Sequence, residues 1–340
     1  MVAGLIVLAG VTRYASGVSR IVAFVFATLA LAGVAWVVSM SIEQVGQRLG
    51  PAITGVLQAT LANLPEFFVV IFALGAGETV IAQTAILGSI LVNALLVLGL
   101  VIVAGATRAS DGVMRFSPRL PNDTATLLLV ASFIIVLIGL THTSGDTASR
   151  HSETISIVGA CVILAVYGSW LRQYLSSASV AEVASEPPRL SLTTGLVLLG
   201  IAGVASAFVS DWFVNALHPT IEKLHISEAF AGLVIVAIAG NAVENVAGIV
   251  LAAKGRAELA ISIVKNSMSQ IAAFLYPLLV LVSLLTASRL TFELAPVFIG
   301  ALIGTAVIVW QITGDGEATV FEGVALVATF VILATVAAFE

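Results

Sequence analysis

The chain has 340 residues, 59% of them hydrophobic and only 10% charged, with a net charge of −5. A soluble domain carries about 25% charged residues, so this composition, with a mean hydropathy of +1.13, points to a polytopic membrane protein with little mass outside the bilayer. No basic run suggests nucleic acid, and the single cysteine, Cys161, excludes an intrachain disulfide.

Hydropathy, punctuated by Gly, Pro and charge, predicts an all-α chain of about eleven spans. They lie near 2–17, 21–47, 52–76, 79–105, 123–142, 153–176, 191–214, 227–253, 257–286, 291–312 and 318–339. The first run, 2–11, has the length of a signal peptide but no positive leading region, and reads as a short first helix. The longest connections, 106–122 and 177–190, are too small to be domains. Sorting Lys and Arg by side places Arg48, Arg108, Arg115, Arg119, Arg172, Arg189, Lys254 and Arg256 at one face. Arg13, Arg20, Arg150, Lys223 and Arg289 fall at the other. The bias puts the N-terminus in the cytoplasm and the C-terminus outside. Short loops fit a prokaryotic inner membrane.

The stretch Gly240-Asn241-Ala242-Val243-Glu244-Asn245 sets an amide and a carboxylate inside a long apolar run. No proline and no other charge lies between Glu228 and Lys254, so the run reads as one spanning helix. A carboxylate at that depth needs a partner, a proton or an ion. Leu61-Ala62-Asn63-Leu64-Pro65-Glu66 repeats the Asn-x-x-Glu spacing. On a helix that spacing puts amide and carboxylate on one face.

Asn63 and Asn241, Glu66 and Glu244, Gly77 and Gly255, and Ser89 and Ser267 are each 178 residues apart. The chain therefore divides into an N-terminal helix (1–20) and two five-helix units, 21–180 and 181–340. An odd helix count per unit inserts the copies in opposite orientation. Inverted repeats with a site at their interface are a plan of secondary transporters.

The next helix of each unit carries Ser89 and Asn93, or Ser267, Ser269 and Gln270, at membrane depth. All these donors are hard oxygens, with no Cys or paired His. That excludes a zinc or copper site among them and suits Ca²⁺, Na⁺ or protons. Pro65 and Gly240 would weaken the helices locally and free backbone carbonyls. The plain alternative is that an intramembrane Asn or Ser is interhelical glue, which is the reading for Ser269. Lys265 either snorkels to the interface or pairs with Glu244 or Glu66. Asp211, Glu222, Glu228, Asp315, Glu317 and Glu322 lie near segment ends and read as solvated caps, Glu322 holding a helix end. The four histidines form no ligand pattern.

The run from Ile226 to Asn245 resembles the second alpha-repeat of the cation/proton exchangers, the calcium/proton branch of the calcium/cation antiporter superfamily. So does Ser267 to Val282. Gln58 to Glu66, with Leu87 to Gly99, is similar to the first repeat, and Gly314-Asp-Gly with Phe321-Glu-Gly to the last helix entry. The resemblance implies one N-terminal helix, two inverted five-helix repeats and proton-driven exchange of Ca²⁺ or a related cation. It implies that Glu66 and Glu244 bind cation and proton alternately, with Asn63, Asn241, Ser89, Asn93, Ser267 and Gln270 as supporting ligands or gating contacts. The sequence departs from the family at Ala62, Pro65, Asn245, Lys265 and Asn266, and its acidic inter-repeat stretch is reduced to Glu182 and Glu186.

The expectation is an antiporter whose partners are inorganic cations, protons and the bilayer. It needs no cofactor beyond Ca²⁺ and H⁺ as cargo. Two carboxylates held close in low dielectric repel, so the site holds protons or a divalent cation more readily than it stays empty. A sodium-using or broader cation exchanger is the first alternative, motivated by Lys265 and Asn245. The remote one is an intramembrane enzyme with the two glutamates as acid and base, without any accompanying nucleophile or metal triad.

Overall fold

The computed structural model describes residues 1–49, 57–58, 60–117, 119–177 and 189–340. Among these, twelve main helices follow one another. They are α1 (Val2–Tyr14), α2 (Arg20–Leu49), α3 (Leu64–Gly75), α4 (Thr79–Arg108), α5 (Arg119–Thr143) and α6 (Ser152–Ser177). Then come α7 (Leu192–Leu224), α8 (Glu228–Gly240), α9 (Ala242–Ala253), α10 (Ala257–Leu285), α11 (Pro296–Thr313) and α12 (Val320–Ala338). The chain is an all-α, polytopic membrane protein.

Among the described residues eight helices are long and apolar enough to cross a bilayer, and the pair α8/α9, bent by 64°, would make a ninth. The other two predicted segments appear as α1 and α3, of 13 and 12 residues. Both are shorter than the roughly 20 residues that a full span needs. Hydropathy counts apolar runs; it does not see where a run is broken or stops short of the far side.

Burial separates centre from rim. In α4, 83% of the most apolar window is buried, and in α10, 67%; in α7 and α12 the shares are 22% and 28%. The rim helices turn Ile201, Val204, Phe208 and Ile332 outward, all about three-fifths exposed. In water such a surface would drive aggregation, whereas lipid chains solvate it. Small residues let backbones touch where α4 crosses its neighbours. Gly99 of α4 meets Gly323 of α12 so closely that a Cβ on either would lie within 2.8 Å of the other's carbonyl oxygen.

Polar contacts between helix ends fall into two sets. At one end Arg48 donates to Leu190 O (2.7 Å), Arg108 to Ala253 O (3.3 Å) and the Ser117 amide to Glu258 (2.8 Å). At the other Arg13 donates to Asn215 (3.2 Å), Ser227 to Ala337 O (2.5 Å), and Glu293 faces His142 (3.4 Å). These groups match the two faces into which the sequence sorts its loops.

The connection 106–122, read from sequence as a plain loop, holds strand β1 (Val113–Arg115). It pairs antiparallel with β2 (Glu317–Thr319), Arg115 opposite Glu317. A three-residue strand whose partner is about 200 positions away leaves no local pattern to detect. Thr319, the last residue of β2, and Glu322 form a reciprocal capping box at the start of α12, which is the helix-holding role expected of Glu322.

Candidate cation site

Both glutamates sit in the first turn of a half-length helix. Asn63 and Asn241 occupy the residue before α3 and α9, with φ, ψ of −90°, 19° and −103°, 13°. Each helix then runs 12 residues, to Gly75 or Ala253. A turn follows in which Gly77 (φ 85°) and Gly255 (φ 78°) take left-handed conformations open to glycine. Every one of these landmarks recurs at the 178-residue spacing. Placed at a helix N-terminus, each carboxylate faces the positive end of the helix dipole.

The expectation of one continuous helix over 227–253 is corrected here, because the chain bends at Asn241. The Asn241 amide folds back to donate to Ala237 O (3.1 Å), an alternative to the helical ladder next to flexible Gly240. The break also separates residues expected to share one helix face. Asn241 does not pair with Glu244 three positions on. It donates to Glu66 Oε1 (3.0 Å) and to Ser89 Oγ (3.0 Å) in the other half of the chain. Pro65 stands in the first turn of α3, where its missing N–H costs nothing. Its carbonyl accepts from Ser210 Oγ at 3.1 Å.

Around each glutamate the same contact is built twice. Ser89 on α4 donates to Glu66 Oε1, and Ser267 on α10 donates to Glu244 Oε2 at 2.9 Å. Asn93 extends the second cluster, donating to Ser267 Oγ at 3.1 Å. Glu66, Ser89 and Asn241 thus form one group; Glu244, Ser267 and Asn93 form another. Each group draws residues from both halves. A π-helical turn follows each serine, Val92–Val97 in α4 and Ile271–Leu275 in α10. Such turns shift side-chain register by one position and favour functional sites, but they leave no hydropathy signal.

Of the other predicted residues, Asn63 and Gln270 are buried, at 7% and 8% exposure, with no side-chain hydrogen bond among the described residues. Ser269 donates to Thr124 O (2.9 Å) as interhelical glue. Lys265 follows neither expectation. It is fully buried and donates to Thr313 Oγ1 at 2.5 Å, with no carboxylate in ion-pair range among the described residues. Thr313, at the end of α11, carried no sequence signal. Glu182 and Glu186 lie outside the described residues.

Among the described residues, three of the buried oxygens without a hydrogen-bond partner lie in these clusters or next to them in sequence: Glu66 Oε2, Asn245 Oδ1 and Asn266 Oδ1. Asn245 follows Glu244 and Asn266 precedes Ser267, so both extra amides flank the second cluster. Buried acceptors without donors are costly. A water, a proton or a hard cation placed there would satisfy them. Serine hydroxyls suit such a place because they donate to a bare carboxylate and, once turned, offer a lone pair to an ion.

The chain matches the family described as sodium/calcium exchanger protein over residues 19–172 and 194–339. It is 31% identical over 294 residues to the Ca²⁺/H⁺ antiporter ChaA of Bacillus subtilis, covering 84% of this chain and 83% of that one. It is 30% identical over 318 residues to the vacuolar calcium ion transporter of Schizosaccharomyces pombe, covering 91% and 77%. Among solved structures, the Ca²⁺/H⁺ antiporter protein YfkE is similar at 25% identity with a TM-score of 0.81, covering 100% of this chain and 98% of that one. The H⁺/Ca²⁺ exchanger CAX shares the fold at 17% identity and a TM-score of 0.75, over 97% and 87%. A match over both halves, each carrying its own glutamate, places the chain in the sodium/calcium exchanger protein family.

Proposed function

We propose that the chain exchanges Ca²⁺ for protons across a membrane, with Glu66 and Glu244 holding cation and proton in turn. The observation that carries this is the doubled cluster, in which each buried carboxylate is held by a serine 23 positions downstream; an amide from the other half reaches Glu66 and Ser89 in the first cluster and Ser267 in the second. Asn63, Asn241, Ser89, Asn93, Ser267 and Gln270 are the proposed supporting ligands, with Asn245 and Asn266 added by their donorless oxygens. The cargo follows that of the similar Ca²⁺/H⁺ antiporter ChaA of Bacillus subtilis and vacuolar calcium ion transporter of Schizosaccharomyces pombe.

The cycle is a competition for one site. Two bare carboxylates in a water-poor interior repel each other, so a site crossing between its two open states does so protonated or filled. That coupling makes exchange faster than leak. The proposal includes two inverted repeats, 21–180 and 181–340, after an N-terminal helix. The recurring helix starts, left-handed glycines and π turns support it. It also includes an N-terminus in the cytoplasm, a C-terminus outside and a prokaryotic inner membrane as the location.

The test is Ca²⁺ uptake into proteoliposomes driven by an imposed pH gradient. Glu66→Gln and Glu244→Gln should each abolish it; coupled uptake surviving in either variant refutes the assignment. A broader cation range is the second reading, favoured by Lys265, a buried basic group two positions from Ser267 in sequence that, when protonated, lowers the demand for a divalent ion. Na⁺, K⁺ and Mn²⁺ run against the same gradient decide it.

A further inference from the structure

At the end of the molecule opposite the β1–β2 ribbon lies a cluster that the exchange cycle does not use. Glu78 precedes α4, His218 lies near the end of α7, and Glu228 opens α8. One ligand atom of each lies within 4.8 Å of the other two. His218 Nδ1 stands 2.9 Å from Glu78 Oε1, and Nε2 faces Glu222 Oε1 at 3.5 Å. Yet Nδ1 is buried and makes no hydrogen bond.

A neutral imidazole carries one N–H. With that N–H on Nε2, the nitrogen that faces Glu222, the Nδ1 lone pair is left facing a carboxylate oxygen. Two acceptors at that separation repel unless a cation lies between them. A carboxylate holding the far N–H of a histidine is also the arrangement that fixes the tautomer and orientation of a metal-bound imidazole.

We propose that Glu78, His218 and Glu228 form a site for a divalent transition-metal ion, Zn²⁺ or one of similar softness, with Glu222 orienting the imidazole. One nitrogen and two carboxylates leave a fourth position for water, the donor set of an open four-coordinate zinc site. Calcium takes six to eight oxygens, so this donor set discriminates against the exchanger's own cargo. Tetrahedral ligands at 2.0–2.2 Å from an ion lie about 3.3–3.6 Å apart. The Glu78–His218 contact therefore opens slightly on binding while Glu228 closes in by side-chain rotation. A cleft of about 540 Å³, bordered by Phe72, Gly75, Glu78, Asp211 and His218, gives an ion access. An ion held there joins the end of α3 to the start of α8, the outer ends of both glutamate-bearing segments.

The experiment is Zn²⁺ titration by calorimetry on the purified full chain carrying Glu66→Gln and Glu244→Gln. With those carboxylates removed, the result is independent of the transport reading. One ion per chain is expected. His218→Ala or Glu78→Gln added to that background should weaken binding about tenfold or more, and Glu222→Gln about 10- to 100-fold. Absence of binding, or an affinity unchanged by His218→Ala, overturns the proposal. The same titration on the unsubstituted chain under excess Ca²⁺ guards against a background that fails to fold. Zn²⁺ that stays bound supports the site, and Zn²⁺ displaced by Ca²⁺ overturns it.

Discussion

Gly88 is the point where the fold and the proposed site depend most directly on one missing atom. A Cβ there would lie 2.3 Å from the carbonyl oxygen of Leu233, 2.6 Å from its Cα and 2.7 Å from its carbonyl carbon. These are backbone atoms, so no side chain can swing away. Ordinary contact begins at 3.4 Å, which requires α4 and α8 to part by about 1.1 Å. Ser89, the next residue, would be carried with α4. Its hydroxyl is held by Asn241 at 3.0 Å, and a parting of that size takes this bond past useful hydrogen-bond length. Overpacking alone costs about 1–3 kcal/mol, and the lost bond between neutral groups about 0.5–1.5 kcal/mol. Gly88→Ala is therefore expected to lower the unfolding temperature in detergent and to cut proton-driven Ca²⁺ uptake at least tenfold. Gly300→Ala is the control, since a Cβ there meets nothing within 4 Å. It should be neutral or slightly stabilising, because alanine favours helix by about 1 kcal/mol. Gly88→Ala with unchanged uptake and unfolding temperature would refute the reasoning.

Lys265→Met should raise the unfolding temperature, because it removes a buried ammonium whose desolvation is offset only by Thr313. Thr313→Val should lower it, at a cost in stability of about 1.5–3 kcal/mol, the worth of a bond to a charged group; shifts of the same sign for both would contradict this account. Thr319→Ala removes the side-chain cap of α12 and should cost about 0.5–2 kcal/mol, read from denaturation midpoints. Arg115→Ala should leave stability unchanged within error at neutral pH, because its pairs with Asp111 and Glu317 are exposed and screened. The hydrogen bond from Arg115 holds the Asp111 carboxyl below its usual range. Whatever that pair contributes is therefore present above the ordinary carboxylate range and lost in acid. Parallel acid unfolding curves for Arg115→Ala and the unsubstituted chain would show that the contribution is negligible.

Much of the architecture was legible in one dimension because membranes impose a one-dimensional rule. Each apolar run had to be a helix, since lipid offers backbone groups no other partner, and the segment order followed. The glutamates stood out for the same reason: Glu66 and Glu244 are isolated charges in repeated apolar context. Their spacing marked a duplication, and Ser89 and Ser267 were found by carrying that spacing forward.

What the sequence could not carry was the path of the chain between those marks. An unbroken apolar run around Asn241 reads the same whether the helix is straight or bent by 64°. Where it bends depends on Glu66 and Ser89, more than 150 positions earlier, drawing the amide aside. The partner of Lys265 was equally hidden, because Thr313 is an unremarkable hydroxyl until α10 and α11 pack together. Residue types and their repetition along the chain determined which groups sit in the membrane. Only tertiary structure decided which of them touch, because hydrogen bonds between halves are set by packing distance and not by separation in sequence.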